Sequence, residues 1–322
     1  MNTNIEILDL IIHFYTKEGM VKAVDGVDFK FNGGKITGIV GETGSGKSVL
    51  GLSILNILAN NAKVSGNILY KDKDLLSLDK EGMTKIRGSE ISLIPQNPAT
   101  AFNPVLKVGK HIDELFYYHN DEKKNNCKSK TLNILNKFLF NDVESVYDSY
   151  NFQLSGGMSQ RALTAMGMAL NPKWIIADEP TKGLDAVIRK QVYKVFKELK
   201  DKNGVSMILI THDLFLANNL CDEVVVMYAG KILEQGSKEE IFNNPKHPYT
   251  RGLIDAQPSK KLIPLEGIAP SLTNLPQGCR FHPRCKYAKD ICRMKEPKMY
   301  PVDNAKVRCF LYDKSRTFKE GV

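Results

Sequence analysis

The sequence predicts an α/β fold: a mostly parallel sheet with flanking helices, an antiparallel β piece, a helical subdomain and a small cysteine-rich C-terminal domain. Three observations predict it. The short apolar runs Ile36–Val40, Trp174–Ala177 and Val205–Thr211 have the composition of strands covered on both faces. The first of them leads into a glycine-rich loop, and a helical pattern follows at 49–55. Finally, four of the six cysteines, Cys279, Cys285, Cys292 and Cys309, lie together near the end of the chain, among repeated prolines.

The length of 322 residues suits one large domain and one small one. Gln257-Pro258 marks the expected boundary, giving 1–257 and 258–322. No run of 18 apolar residues and no basic-then-apolar leader is present, so the chain is expected in the cytoplasm, with any membrane part supplied by partners. Of the net charge of +9, most falls after residue 258, where 14 Lys/Arg face 6 Asp/Glu. A solvated surface, nucleic acid, anionic lipid or a bound anionic cofactor would each suit such a tail.

In chain order, residues 1–40 read as antiparallel strands, with Asn32-Gly33-Gly34 as a hairpin turn. Phe14 and Tyr15 lie about 30 residues before the glycine loop; each is either core or a platform for a purine. The loop itself is Gly41-Glu42-Thr43-Gly44-Ser45-Gly46-Lys47-Ser48. Glycines let successive backbone N–H groups turn toward phosphate oxygens, and the following helix adds its positive end. Lys47 can reach the β- and γ-phosphates, and the Ser48 hydroxyl can ligate Mg²⁺. The chain is therefore read as nucleotide-binding.

A β-rich piece follows at Val64–Tyr70, and the strand Ile91–Ile94 leads to Gln96. Residues 105–150 read as mostly helical, with Asp121–Lys130 as an exposed loop. Leu154–Gln160 places Ser155, Gly156 and Gly157 at a helix start, either a second anion site or an ordinary cap. Trp174–Ala177 ends in Asp178-Glu179, where one carboxylate can hold Mg²⁺ and the other can polarise water. Asp185 precedes an amphipathic helix whose apolar residues are Ile188, Val192, Phe196 and Leu199. His212 ends the strand 205–211, where a structural and a phosphate-facing role are both open. Val224–Met227 and Lys231–Leu233 form a hairpin around Tyr228-Ala229-Gly230.

Together these residues resemble the ATP-binding subunit of ABC transporters, over roughly 4–255. The resemblance makes 41–48 the Walker A loop, Gln96 the Q-loop residue, 154–160 the signature, 174–178 Walker B, Asp185 the D-loop residue and His212 the switch histidine. It implies ATP and Mg²⁺ as cofactors, Glu179 as base for water, His212 and Lys47 on the γ-phosphate, and Gln96 sensing Mg²⁺. Phe14 takes the adenine-stacking place, with Tyr15 second. Ser155 and Gly157 are implied to contact γ-phosphate bound to a partner ATPase. One departure stands out: Gly183 precedes Leu184-Asp185 where alanine is more usual.

The stretches Asn243–Thr250 and Gly278–Cys285 resemble the oligopeptide/dipeptide/nickel uptake branch. That resemblance implies a heterodimer with a second ATPase, two transmembrane permeases, an extracellular or periplasmic binding protein, and a place on the cytoplasmic face of the membrane. It also implies a [4Fe–4S] cluster on the four tail cysteines. Their intervals of 5, 6 and 16 residues contain no Cys-x₂-Cys pair, which disfavours zinc, and Arg280, Arg284, Lys286, Arg293 and Arg308 flank them as counter-charge. An ABC-type ATPase acting on nucleic acid or the ribosome through a zinc-binding tail is the alternative. A single cassette without a heptad run disfavours it, and no nucleic acid partner is expected.

Overall fold

The computed structural model describes residues 3–120, 124–138, 140–257 and 262–315. The chain opens with β1 (Ile5–Thr16) and β2 (Gly19–Phe31), paired antiparallel around a tight turn. β3 (Ile36–Val40) then runs into the glycine loop and α1 (Lys47–Ile54). β4 (Ala62–Tyr70) returns to pair with β1, and the two-residue β5 (Lys73–Asp74) pairs with β4. After α2 (Lys80–Ile86) and β6 (Ile91–Ile94) comes a helical stretch: α3 (Pro98–Ala101), α4 (Val108–Asn120), α5 (Lys124–Asn136), α6 (Val143–Asp148) and α7 (Gly156–Met168). The chain re-enters the sheet as β7 (Trp174–Asp178), crosses by α8 (Ala186–Asn203) to β8 (Ser206–Thr211), and by α9 (Leu214–Leu220) to the hairpin β9 (Glu223–Tyr228) and β10 (Lys231–Ser237). α10 (Lys238–Asn243) and α11 (Pro248–Asp255) follow. The tail holds α12 (Asp290–Met294), β11 (Tyr300–Val302) and β12 (Ala305–Val307).

The strands form two sheets. One has the order β2-β1-β4-β5; the other has the order β11-β12-β10-β9-β3-β8-β7-β6. In the larger sheet β6, β7, β8, β3 and β9 are parallel, and β10, β12 and β11 continue it antiparallel. The expected mixed architecture is present. Its cause is visible in the alternation of side chains across the central strands. Ile39, Ile176, Ile208 and Ile210 face a core shared with the antiparallel sheet, beside Ile7, Phe31 and Leu50. Val40, Ile175, Ala177, Met207 and Leu209 face the helices on the other side. Every residue of β3, β7 and β8 is buried, as two-sided cover requires.

Two expectations are corrected. Asn32–Gly34 is not a hairpin turn: β2 pairs with β1, while β3 enters the other sheet between β8 and β9. The wholly buried β3 needs cover on both faces, which the edge of the antiparallel sheet cannot give. Nor is 124–130 a loop. It begins α5, whose Cys127, Thr131, Ile134 and Leu135 are buried at helical spacing on one face; residues 121–123 of that stretch lie outside the described residues. Pro258 of the expected boundary lies outside them too. Beyond it, β12 pairs with β10 through Glu234–Val307 and Gln235–Lys306, so the tail extends the main sheet. Among the described residues no helix is long and apolar enough to cross a membrane.

Candidate functional site

The parallel strands β3, β8, β7 and β6 end side by side, and their carboxyl ends bring the chemistry together. From β3 comes the 41–48 loop, from β8 His212, from β7 Asp178-Glu179 and from β6 Gln96, which is half-buried. Ligands bind at this edge of open α/β sheets. Sequence neighbours contribute little; the sheet order makes the site.

Close backbone contact shapes the loop. A Cβ on Gly41 would stand 2.1 Å from the Met227 carbonyl, and one on Gly46 would stand 2.1 Å from the Ala23 carbonyl, with φ at +151° and +101°. Only glycine tolerates both the space and the dihedral. The Lys47 ammonium folds back over the loop and donates to the carbonyls of Gly41 and Glu42, both at 2.8 Å. Burial lowers its pKa, against the raising fields of Glu179, Asp178 and Glu42. An anion placed there would meet a partly desolvated ammonium, where charge interactions are strong.

Asp178 is buried, and its Oδ1 has no hydrogen-bond partner. Burial raises its pKa, opposed by a hydrogen bond from Ser48; Glu179 raises it further, and Lys47 lowers it. A buried, under-satisfied carboxylate next to a hydroxyl is a donor set that fits a hard, oxygen-seeking cation such as Mg²⁺.

Glu179 is buried and its backbone is left-handed, at φ +48°, an unusual conformation for a non-glycine residue. Its carboxylate is held from three directions. Oε1 lies 2.7 Å from His212 Nδ1 and accepts the His212 backbone N–H at 3.0 Å, while the Thr211 hydroxyl donates to Oε2 at 3.3 Å. The His212 side chain is 57% exposed, so its ring reaches outward from the carboxylate that anchors it. An oriented base with an oriented imidazole beside a phosphate loop is the arrangement needed to activate water.

The remaining expected residues sit apart. Ser155 caps α7 by accepting from the Met158 N–H at 3.3 Å; Ser155 and Gly156 are exposed on the helical subdomain. Asp185 caps α8 by accepting from the N–H groups of Val187 and Ile188 at 2.9 and 3.0 Å. Just before it Gly183 has φ +73°, which accounts for glycine where alanine is more usual. Phe14 is half-buried against the core between the sheets, whereas Tyr15 is 53% exposed.

Behind the loop stands a set of residues whose role sequence reasoning did not find. Tyr249 is fully buried, packs on Tyr228 and Phe281, and its hydroxyl accepts the Glu42 N–H at 3.0 Å. The buried Glu234 fixes the turn ahead of it by accepting from the backbone N–H groups of Lys246 and His247. Arg284 grips the Glu42 carboxylate with both ends of its guanidinium, at 2.9 and 3.1 Å. Arg280 binds the Asp25 carboxylate and the Ala229 carbonyl. Arg308 pairs with Glu296 at 3.2 Å. Each of these three arginines has a carboxylate partner of its own, and Arg308 also feels the charge of Cys279. Both Tyr249 and Arg284 lie within the motifs 243–250 and 278–285; that signal was in the sequence, but nothing there pointed it at the phosphate loop.

Cys279, Cys285, Cys292 and Cys309 line one pocket together with His247, Phe281 and His282. All four are free thiols. Burial pushes Cys279 up to about 11 and Cys309 up to about 12, and the neighbouring cysteines add to both shifts. Among the described residues no three His, Cys, Asp or Glu side chains stand close enough to hold a single metal ion.

Comparison with known proteins agrees with this geometry. A family model described as ABC transporter matches residues 24–182, and one described as the oligopeptide/dipeptide transporter C-terminal region matches 233–292. The oligopeptide transport ATP-binding protein AppD of Bacillus subtilis is 40% identical, over 97% of this chain and 98% of its own. The dipeptide transport ATP-binding protein DppD of Haemophilus influenzae is 40% identical, over 95% and 94%. Among solved structures, the dimeric ATP-binding cassette MJ0796 bound to ADP and phosphate shares the fold, with a TM-score of 0.65 at 23% identity over 73% of this chain and 98% of that one. A second, cbiO1 of Clostridium perfringens, has a TM-score of 0.62 at 27% identity over 76% and 92%. The chain belongs to the ABC transporter ATP-binding proteins of the oligopeptide/dipeptide family.

Proposed function

We propose that this chain is the ATP-hydrolysing subunit of an ABC importer for oligopeptides or dipeptides, working at the cytoplasmic face of the membrane. The observation that carries the reading is the Glu179–His212 pair, set beside Lys47 and Asp178 at the carboxyl ends of adjacent parallel strands. The relatives' names favour peptides over nickel as cargo. In the proposed site the 41–48 backbone and Lys47 hold the phosphates. Ser48, Gln96 and Asp178 hold Mg²⁺, which would supply charge stabilisation at the phosphates. Glu179 takes the proton from water and His212 steadies the γ-phosphate. Phe14 stacks on the adenine.

The exposed Ser155 and Gly156 and the half-buried Gly157, with Asp185, serve a second ATPase bound head to tail. Two permeases and a substrate-binding protein complete the transporter. Residues 1–257 form the ATP-binding domain, and 258–322 a cysteine-rich region whose described residues dock on it. The four cysteines are proposed to hold a [4Fe–4S] cluster of structural role. That the four cysteines line one pocket is what supports this reading.

The test is ATP-driven uptake of labelled peptide into proteoliposomes carrying the assembled transporter and its binding protein. Wild type should accumulate peptide and Glu179→Gln should not. Uptake unaffected by Glu179→Gln would refute the assignment.

A further inference from the structure

We propose that Arg284, which lies in the cysteine-bearing tail, is a positioning residue for the phosphate loop, and that its pairing with Glu42 sets the affinity of that loop for ATP. The inference rests on the reading of 41–48 as the ATP site. Glu42 places a carboxylate inside a loop that must receive a polyanion. Its charge is felt at Lys47, the ammonium that faces the phosphates. Left unpaired, it would repel them. Arg284 answers it with two parallel hydrogen bonds from a side chain that is 5% exposed. Such fork-on-carboxylate pairs are the strong and directional ones.

Arg284 is itself fixed. Its Nε donates to the Glu266 carbonyl at 2.9 Å, and its guanidinium lies 5.7 Å from the Tyr228 ring centre. The backbone of Glu42 is held by the Tyr249 hydroxyl, and Tyr249 packs on Phe281 of the same tail. At the far side of the loop the Gly230 N–H donates to the Ser45 carbonyl at 3.0 Å, and Arg280 binds the adjoining Ala229 carbonyl. The tail therefore holds the loop at two points. Arg284 directly precedes Cys285, which lines the cysteine pocket.

The experiment measures MgATP affinity of the assembled transporter by calorimetry in a Glu179→Gln background, and KM and kcat without it. Arg284→Gln should raise Kd and KM about tenfold, about 1.4 kcal/mol, with kcat within about threefold. Arg284→Lys should fall between, since a point charge cannot make the fork. The decisive variant adds Glu42→Gln to Arg284→Gln. Removing the stranded carboxylate should recover part of the lost affinity, which a purely architectural role would not do. Hydrogen exchange should quicken at 41–48 in Arg284→Gln while β8 stays protected. Unchanged Kd in Arg284→Gln, or a double variant that binds no more tightly than Arg284→Gln alone, would overturn the proposal. So would loss of β8 protection without rescue by Glu42→Gln. If wild type binds MgATP and Arg284→Gln matches it, only this inference fails; if wild type binds none, the ATP reading fails with it.

Discussion

The ATP-binding region and the cysteine tail are held together by different physics. In the first, whole strands are buried, and their alternating side chains feed two large apolar cores. Among the described residues of the tail no helix exceeds five residues and no strand exceeds three. Large apolar side chains such as Ile268 are left 91% exposed. What fixes the tail is docking: β12 on β10, Phe281 on Tyr249, Arg280 on Asp25 and Arg284 on Glu42. A region with too little apolar surface to close its own core has borrowed the core and the charges of its neighbour. Part of that borrowed charge, Glu42, belongs to the phosphate loop.

The largest effect should come from the proposed catalytic pair, Glu179 and His212, and should leave the tail untouched. Glu179→Gln should lower ATP turnover by about 10³-fold with MgATP binding retained, because a positioned base contributes roughly 10²–10⁴. Lys47→Ala should weaken both, since it removes the charge on the phosphates. Phosphate release and calorimetry on the assembled transporter check this. Near-normal turnover in Glu179→Gln would break the assignment.

Stability should divide along the same line. Ile208→Ala, at a fully buried position of β8, should cost about 2–5 kcal/mol in denaturant unfolding. Ile268→Ala in the tail should stay within about 0.5 kcal/mol, as surface substitutions do. Equal costs would mean that Ile268 is covered in solution.

The cysteines test how far the dependence runs. Cys285→Ser should abolish iron and sulfide binding after anaerobic purification and should loosen 278–312 in hydrogen exchange. The 41–48 loop should still bind MgATP, with Kd raised no more than the roughly tenfold expected of Arg284→Gln. A colourless wild-type protein with one zinc and no sulfide would remove the cluster.

A small effect concerns the adenine. Phe14→Ala should raise KM for ATP about threefold, a stacking contribution of about 0.7 kcal/mol. Tyr15→Ala should change it less. The opposite ranking would move the stacking role to the exposed neighbour.

Much of this was legible in the sequence because it depends on local chemistry. A loop that needs left-handed dihedrals and close backbone approach needs glycine, and Gly41, Gly44 and Gly46 stood out at once. Strands buried on both faces need unbroken apolar runs, and those of β3, β7 and β8 were plain. What misled was context. Asn32-Gly33-Gly34 has hairpin composition, but a turn between two sheets asks for the same residues. The Lys/Asn-rich stretch 124–130 has loop composition, yet one buried face per turn suffices for a helix packed on its neighbours.

The sequence by itself determined the chemical parts: the phosphate loop, the paired acids, the strand-end histidine and the four cysteines, each set by residue type and short spacing. The tertiary structure decided which parts meet. Strand order placed residues from β3, β6, β7 and β8 along one edge, joined Glu179 to His212 across 33 positions, and brought Arg284 to Glu42 across 242. An ion pair of that span leaves no periodicity, and the 278–285 motif that contains Arg284 does not say which carboxylate it meets. It forms where the tail docks, with β12 on β10 and Phe281 on Tyr228 and Tyr249.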